Sequence, residues 1–135
     1  MNKNIKRFLT PSLLLALAAV TGCAHQPVKR VGMVVGIHPE KITEYKKLHA
    51  DSNPGVRDIL NKYHMHDFTI YLQKIDAKWY EFGCYEYTGS NFKEDMAAMA
   101  KEPRTIAWLK KCDPLQIPLP GAKGWTTMER VYFNP

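Results

Sequence analysis

Tyr45 and His49 are the residues of this chain whose types and spacing best suit chemistry. They stand four apart in the segment EKITEYKKLHA, and residues four apart on a helix lie on one face. Imidazole is the side chain whose ordinary pKa lies near neutrality, so it can both accept and donate a proton. The pair therefore predicts a site for general acid–base catalysis. The simpler alternative is structural, since a helix tyrosine commonly packs against its sheet and a histidine commonly binds backbone groups.

Two further histidines, His64 and His66, are reserve candidates for a second proton carrier, and a turn or strand position without chemistry also explains them. The sequence has no Gly-rich phosphate loop, and its Cys and His residues do not cluster at zinc-site spacing. We therefore expect chemistry without a metal, a nucleotide or another cofactor.

The first 23 residues have the three parts of a bacterial lipoprotein signal. A positively charged start precedes an apolar run at 13–20 and the lipobox Val-Thr-Gly-Cys at 20–23. Eight apolar residues are too few to span a bilayer, which needs about 20. The pattern predicts a cleaved signal peptide at 1–22, lipidation of Cys23 and a tether at 23–29, with a short uncleaved anchor or a chance apolar run as the alternatives. Because Ala24 is not Asp, we expect an exported lipoprotein on the outer membrane, facing the periplasm.

The remaining 113 residues are enough for one domain, at 30–135. The whole chain has 19 Lys and Arg and 13 Asp and Glu, a net charge of +6. Three of the basic residues belong to the signal, so the mature charge is 16 − 13 = +3. This small excess argues against a nucleic-acid partner.

Two cysteines remain once Cys23 is assigned to lipid. Cys84 and Cys112 would stand in a compartment that permits disulfides. Cys84 lies within an apolar strand pattern, which predicts a packed thiol. A disulfide between the two stays open at this point.

Hydrophobic periodicity divides the domain into short elements. The first strand, at 30–37, has apolar residues at alternate positions. A helix beginning at Pro39 is interrupted at Asn53-Pro54 and followed by a second helical stretch at 56–63. We predict a hairpin of strands at 66–72 and 78–87, a helix from Phe92 with Asn91 as its cap, a helix from Pro103, a loop at 113–124 and a last strand at 126–133.

The resulting order, β-α-β-β-α-β, predicts an α+β ferredoxin-like fold with a four-stranded antiparallel sheet and helices on one face. The other sheet face then needs a partner, and a homodimer joined through the sheets would supply it. The third strand is rich in aromatic residues, which suit a core, an interface or a platform for a sugar: Trp79, Tyr80, Phe82, Tyr85 and Tyr87.

Several segments together resemble the L-rhamnose mutarotase family. They are HPEKITEYKKLHA at 38–50, HDFTIYL at 66–72, YEY at 85–87, the helix carrying Trp108, and VYFNP at 131–135. Each segment alone is weakly specific. Their order and spacing cover nearly the whole domain, and this makes the resemblance strong.

The resemblance implies a dimeric α/β barrel that interconverts the α and β anomers of a free 6-deoxyhexose such as L-rhamnose. It implies that Tyr45 contacts the sugar and that His49 is the proton donor. It also places a sugar-contacting aromatic at Phe68 and a tandem tryptophan pair at Ala107 and Trp108. This chain departs from the pattern twice, because Phe68 lacks the phenol's hydrogen bond and Ala107 lacks a stacking ring; Trp125 and Tyr85 are candidates to fill that space.

Two alternatives come from other functional classes. The chain can be a lipid-anchored module that binds a sugar without converting it, which would explain the two departures. It can also be a heme-binding or oxygenase-like member of the wider dimeric α/β-barrel group, with His49 as the axial ligand. Catalysis of anomer exchange is the function that the resemblance favours.

Overall fold

The computed structural model describes residues 28–134. The predicted signal peptide, Cys23, most of the tether and Pro135 lie outside the described residues. Five strands and four α-helices follow one another in the chain: β1 (Lys29–Ile37), α1 (Ile42–Leu48), α2 (Arg57–Lys62), β2 (Met65–Ile75), β3 (Lys78–Tyr87), α3 (Phe92–Met99), α4 (Pro103–Cys112), β4 (Gln116–Ile117) and β5 (Thr126–Met128). Short 3-10 helices precede α1 at Pro39–Lys41 and follow α4 at Asp113–Leu115.

The strands form one antiparallel sheet in the order β2-β3-β1-β4, and β5 also pairs with β1. The α+β ferredoxin-like prediction is confirmed. Among the helices between residues 28 and 134, none has both the length and the apolar character that crossing a membrane requires.

Proline and turn chemistry set several of these boundaries. Pro39 and Pro103 stand in the first turns of their helices, where a missing N–H leaves no bond unmade. The hairpin turns at Asp76 and Ala77, both with positive φ, as a two-residue turn between twisted strands requires. Asn91 stands at the start of α3 as predicted, but its side chain makes no capping hydrogen bond.

A β-bulge in β2 decides which side chains face the helices. Between His66 and Thr69 the pairing with β3 shifts by one residue, and Asp67 there has a φ of 50°. A one-residue shift exchanges the two faces of a strand. After the bulge, Phe68, Ile70 and Leu72 pack into the core with the helices.

The two sheet faces differ in cover. The inner face carries the core residues Val35, Ile37, Tyr85 and Tyr87, all buried beneath the helices. The outer face, which includes Val34, Phe82 and Tyr71 in register, has no helix against it in the described chain. Tyr71 is 61% exposed.

Three sequence predictions were wrong in detail. The last strand ends at Met128, and 129–134 has no regular structure. The predicted loop at 113–124 contains β4, so β4 and β5 together take the fourth strand's place beside β1. Cys84 is exposed, because it lies on the outer face opposite Gly32.

The close approach of β4 to β1 depends on Gly36. A Cβ at this position would lie 2.8 Å from the carbonyl oxygen of Ile117. Glycine therefore lets the short strand pair with β1, and this pairing fixes the neighbouring Gln116 at the inner face.

Candidate active site

A cleft of about 690 Å³ opens between α1, α2, β2 and the ring of Trp108 on α4. A second cavity of about 290 Å³ adjoins it. Tyr45, His49, Phe68 and Trp108, the four site residues predicted from the sequence, line both. Binding sites for small molecules typically have about 300–1,000 Å³. The structure thus brings the four residues together around a space suited to a small ligand, while their individual roles stay predictions.

His49 ends α1, and its ring has two aromatic neighbours. It stacks on Tyr45 with 4.0 Å between centroids and meets Trp108 edge-on at 5.2 Å. Its Nδ1 lies 3.0 Å from the carbonyl oxygen of Tyr45. A carbonyl only accepts hydrogen bonds, so Nδ1 carries the hydrogen in this bond. The neutral ring consequently offers Nε2 as its basic atom.

The surroundings of His49 favour the neutral ring. Burial lowers the pKa of His49, and the Arg57 cation lowers it further, while the hydrogen bond to the Tyr45 carbonyl opposes both effects. Arg57 also donates to the carbonyl oxygens of His49 at 3.1 Å, of Ala50 at 3.3 Å and of Asn53. Arg57 therefore holds the loop after α1 in place and also favours a base at Nε2.

Tyr45 is buried against Ile37 and Leu115, and its hydroxyl lies beside the carboxyl of Glu81. Burial, followed by repulsion from a Glu81 carboxylate, raises the pKa of Tyr45 far above its ordinary value. The phenol therefore keeps its proton across the physiological range.

Glu81 is the buried polar group that the sequence interpretation missed. It has no exposed surface, and its Oε2 accepts a 2.6 Å hydrogen bond from Nε2 of Gln116. Its Oε1 has no hydrogen-bond partner among the described residues. Burial raises the pKa of Glu81 to about 7, although Gln116 and the Tyr45 hydroxyl favour the charged form. Near neutrality the group is thus divided between carboxyl and carboxylate.

A signal for Glu81 was present in the sequence. It alternates with Trp79, Gly83 and Tyr85, so it had to share their face of β3. A carboxylate among apolar neighbours at core positions is a candidate functional group. Gln116 gave no comparable signal, because it stands in the segment predicted to be a loop.

Cys112 is a second buried titratable group near Glu81. Burial, with the charges of Asp113 and Glu81, raises the pKa of its thiol to about 12. The side chain therefore remains a neutral thiol. Cys84 and Cys112 are both free, so they form no disulfide.

Aromatic rings form part of the walls of the two cavities, and the larger cleft is also lined by polar side chains such as Asp51, Asn53 and Asn61. Phe68 meets Tyr85 at right angles with centroids 5.6 Å apart. Tyr85 and Trp125, the candidates to fill the vacated space, both line the smaller cavity. Ala107 is exposed and lines neither cavity, so the missing second ring does not open a gap in these walls.

The reserve histidines lie in different places. His66 lines the larger cleft. His64 is exposed, has a φ of 60° and lines neither cavity. Within residues 28–134, no group of three or more His, Cys, Asp and Glu side chains is placed to hold a metal ion.

Substitution of Glu81 by Gln should stabilise the fold increasingly as pH rises. The folded-state pKa of about 7 exceeds the ordinary 4.5, so the protonated form favours folding. The contribution of protonated Glu81 to the free energy of unfolding is complete below pH 4.5 and is lost as pH rises through 7. At pH 8 the buried carboxylate then costs up to about 3 kcal/mol. We expect Glu81→Gln to match wild type in urea unfolding at pH 4.5 and to exceed its free energy of unfolding at pH 8.

The matched control is Glu94→Gln, which makes the same change at an exposed position of α3. Its free energy of unfolding, relative to wild type, should be the same at pH 4.5 and at pH 8. An equal effect of Glu81→Gln at both pH values would contradict a raised pKa at Glu81.

Comparison with known proteins identifies the family. A family model described as L-rhamnose mutarotase matches residues 30–133, whereas the search of curated proteins gives no match. This family is a class of carbohydrate isomerases. The match spans both halves of the sheet and every residue of the cleft. The chain therefore belongs to the L-rhamnose mutarotase family.

Proposed function

We propose that this protein interconverts the α and β anomers of a free 6-deoxyhexose such as L-rhamnose by acid–base ring opening, with His49 as the proton carrier. The observation that carries the proposal is the hydrogen bond from Nδ1 of His49 to the Tyr45 carbonyl, which leaves Nε2 basic beside an aromatic cleft. Membership of the family supplies the reaction class.

The reaction needs one proton removed and one delivered. Nε2 of His49 takes the proton of the anomeric hydroxyl as the bond from C1 to the ring oxygen breaks and a carbonyl forms at C1. The ring oxygen gains a proton from a second proton carrier, and the carbonyl rotates about the bond from C1 to C2. The hydroxyl then attacks the other face of the carbonyl, the ring closes, and both proton transfers are reversed. A well-placed proton carrier of this kind contributes roughly 10²–10⁴-fold.

The walls of the cleft suit a sugar that has lost one hydroxyl. Aromatic rings such as Trp108 and Phe68 can lie against the apolar C–H face of a hexose, and a 6-deoxy sugar has more apolar surface because a methyl group replaces its hydroxymethyl group. Phe68 offers no hydroxyl to the sugar. Each such hydrogen bond contributes on the order of 1 kcal/mol, so we propose a preference among 6-deoxyhexoses less strict than a tyrosine at this position would give.

The proposal is tested by NMR saturation transfer on equilibrated L-rhamnose and L-fucose. The purified protein should accelerate exchange between the anomers, and His49→Ala should reduce that acceleration by roughly 10²–10⁴-fold because it removes Nε2. His38→Ala is the matched control, since His38 lines neither cavity.

Two results would contradict catalysis by His49. Exchange that survives His49→Ala would assign the proton transfer to another group. Sugar binding without any acceleration by wild type would establish the binding module instead, and a Soret band in the purified protein would support the heme-binding alternative.

We propose further that two copies associate through the outer sheet face. Its exposed apolar residues include Tyr71, Ile75 at 45%, Ile117 at 42% and Met128 at 39%. A charged side chain introduced into such a contact would be buried without a partner, and this would destabilise the dimer. In sedimentation equilibrium we expect a dimer that Tyr71→Asp dissociates, whereas Ile106→Asp on α4, also exposed, leaves it intact. A monomeric wild type would contradict the proposal.

The lipoprotein signal supports a proposal on location. We propose that the chain is exported, cleaved before Cys23 and held by lipid at the outer membrane, facing the periplasm. In cells fed labelled palmitate, wild type should carry label and sediment with membranes, and Cys23→Ala should do neither. Cys84→Ala is the control. Label retained after Cys23→Ala would contradict the assignment.

A further inference from the structure

Ring opening requires a second proton carrier, because one group must protonate the ring oxygen while His49 deprotonates the anomeric hydroxyl. We infer that Glu81 holds this second proton and passes it to the sugar through the hydroxyl of Tyr45. The inference rests on the proposed function and adds a buried positioning residue to it.

A buried carboxyl group that can hold a proton lies next to Tyr45. Glu81 is wholly buried, and Gln116 occupies its Oε2, while Oε1 has no partner among the described residues. An unpaired buried carboxylate oxygen is costly, and a proton on it removes the charge. The Tyr45 hydroxyl lies beside this carboxyl, and Tyr45 lines both cavities. Glu81 borders the larger cleft but has no exposed surface. The hydroxyl of Tyr45 is therefore the route that we assign for a proton passing from Glu81 to a ligand.

Tyr45 needs Glu81 for this role. Burial, and after it the neighbouring Glu81 carboxylate, raises the pKa of Tyr45 strongly, so a phenolate that is not resupplied with a proton is costly. The hydroxyl can therefore give a proton only while it receives one. Cys112, which also faces Glu81, has a pKa of about 12 and is a poor source of that proton.

The transfers balance. The electron pair of the bond between C1 and the ring oxygen goes to the ring oxygen, which takes the hydroxyl proton of Tyr45. The Tyr45 oxygen takes the proton of Glu81, and Nε2 of His49 takes the proton of the anomeric hydroxyl as the carbonyl forms. The open-chain sugar then stands with a Glu81 carboxylate and a His49 imidazolium. Closure returns every proton, so the site turns over without a net gain or loss.

This pair of groups sets the pH dependence. Glu81 is faced by Tyr45 of α1, Cys112 of α4 and the neutral Gln116 of β4. His49 is faced by Arg57 of α2. The active form has neutral His49 and protonated Glu81, so kcat should fall in acid as His49 gains a proton. It should also fall above about pH 7 as Glu81 loses one.

The test compares pH profiles of anomer exchange for the full chain and for Glu81→Gln. Glutamine keeps the shape and can still accept from Gln116, but it cannot give up a proton. We expect kcat to fall by roughly 10²-fold with KM little changed, and the remaining activity to lose its decline above pH 7. Glu94→Gln, at an exposed site on α3, should keep the wild-type profile.

A second variant separates a relay from a packing effect. Tyr45→Phe removes the hydroxyl and keeps the ring that stacks on His49. If Glu81 acts through Tyr45, the double variant should be no slower than the slower single variant. Three results would each overturn the inference. The double variant could lose kcat by the product of the two single losses, Glu81→Gln could keep the fall of kcat above pH 7, or Glu81→Gln could have the kcat of wild type. A wild type without exchange activity would instead overturn the proposed function.

Discussion

The arrangement of the site depends on the burial of one carboxyl group between the sheet and the helices. Moving a carboxylate away from water costs several kcal/mol unless nearby groups bind it. Glu81 receives one strong hydrogen bond, from Gln116 at 2.6 Å. Gln116 reaches it because β4 lies against β1, and β4 can lie there because residue 36 is glycine. A glycine, a two-residue strand and a buried acid are thus parts of one arrangement, which also determines the surroundings of the Tyr45 hydroxyl.

Opposing effects act on the pKa of His49, and their balance decides whether the ring is neutral or charged. The ring stands at the carboxyl end of α1, where backbone carbonyls favour a positive charge, typically by 0.3–1 kcal/mol at exposed positions. Its hydrogen bond to the Tyr45 carbonyl acts in the same direction. Burial and the Arg57 cation nevertheless lower its pKa, so desolvation and like charge outweigh these contributions. The same bond that favours the cation also fixes the hydrogen on Nδ1, and the result is an oriented base.

The sequence predicted the fold well where local rules decide it. Alternation located β1 and β3, and the prolines at 39 and 103 located the starts of their helices. Alternation could not decide which face of β3 is covered, because Tyr80 and Phe82 make the outer face as apolar as the inner one. This ambiguity is why Cys84 was expected to be packed and Glu81 escaped notice. The division of the last strand was also missed, since pairing of two residues at Gln116–Ile117 gives no periodic signal.

The candidate site shows the same division between local and long-range information. Tyr45 and His49 were predictable because helical spacing alone puts them together. Phe68 and Trp108 came from family resemblance, and Phe68 faces the core only because the bulge at Asp67 shifts the strand by one residue. Glu81 and Gln116 are 35 positions apart, so their contact exists only once β1 has paired with both of their strands.

If the cleft converts a sugar as proposed, the residues that line it determine which sugars it accepts. Anomer exchange involves only the ring oxygen and the anomeric hydroxyl, which every cyclic aldose has, so the reacting groups impose little choice. Under the proposed function, discrimination must come from contacts with the other carbons. Phe68, Trp108, Tyr85 and Trp125 offer ring surface for these contacts, and the larger cleft adds polar side chains such as Asp51, Asn53 and Asn61. Apolar contact distinguishes a methyl group from a hydroxymethyl group by only about 1–3 kcal/mol and is nearly blind to the orientation of a hydroxyl. Under the proposed function, the rings would therefore favour a sugar with a methyl group only modestly, and a choice between hydroxyl orientations would fall to the polar side chains of the larger cleft.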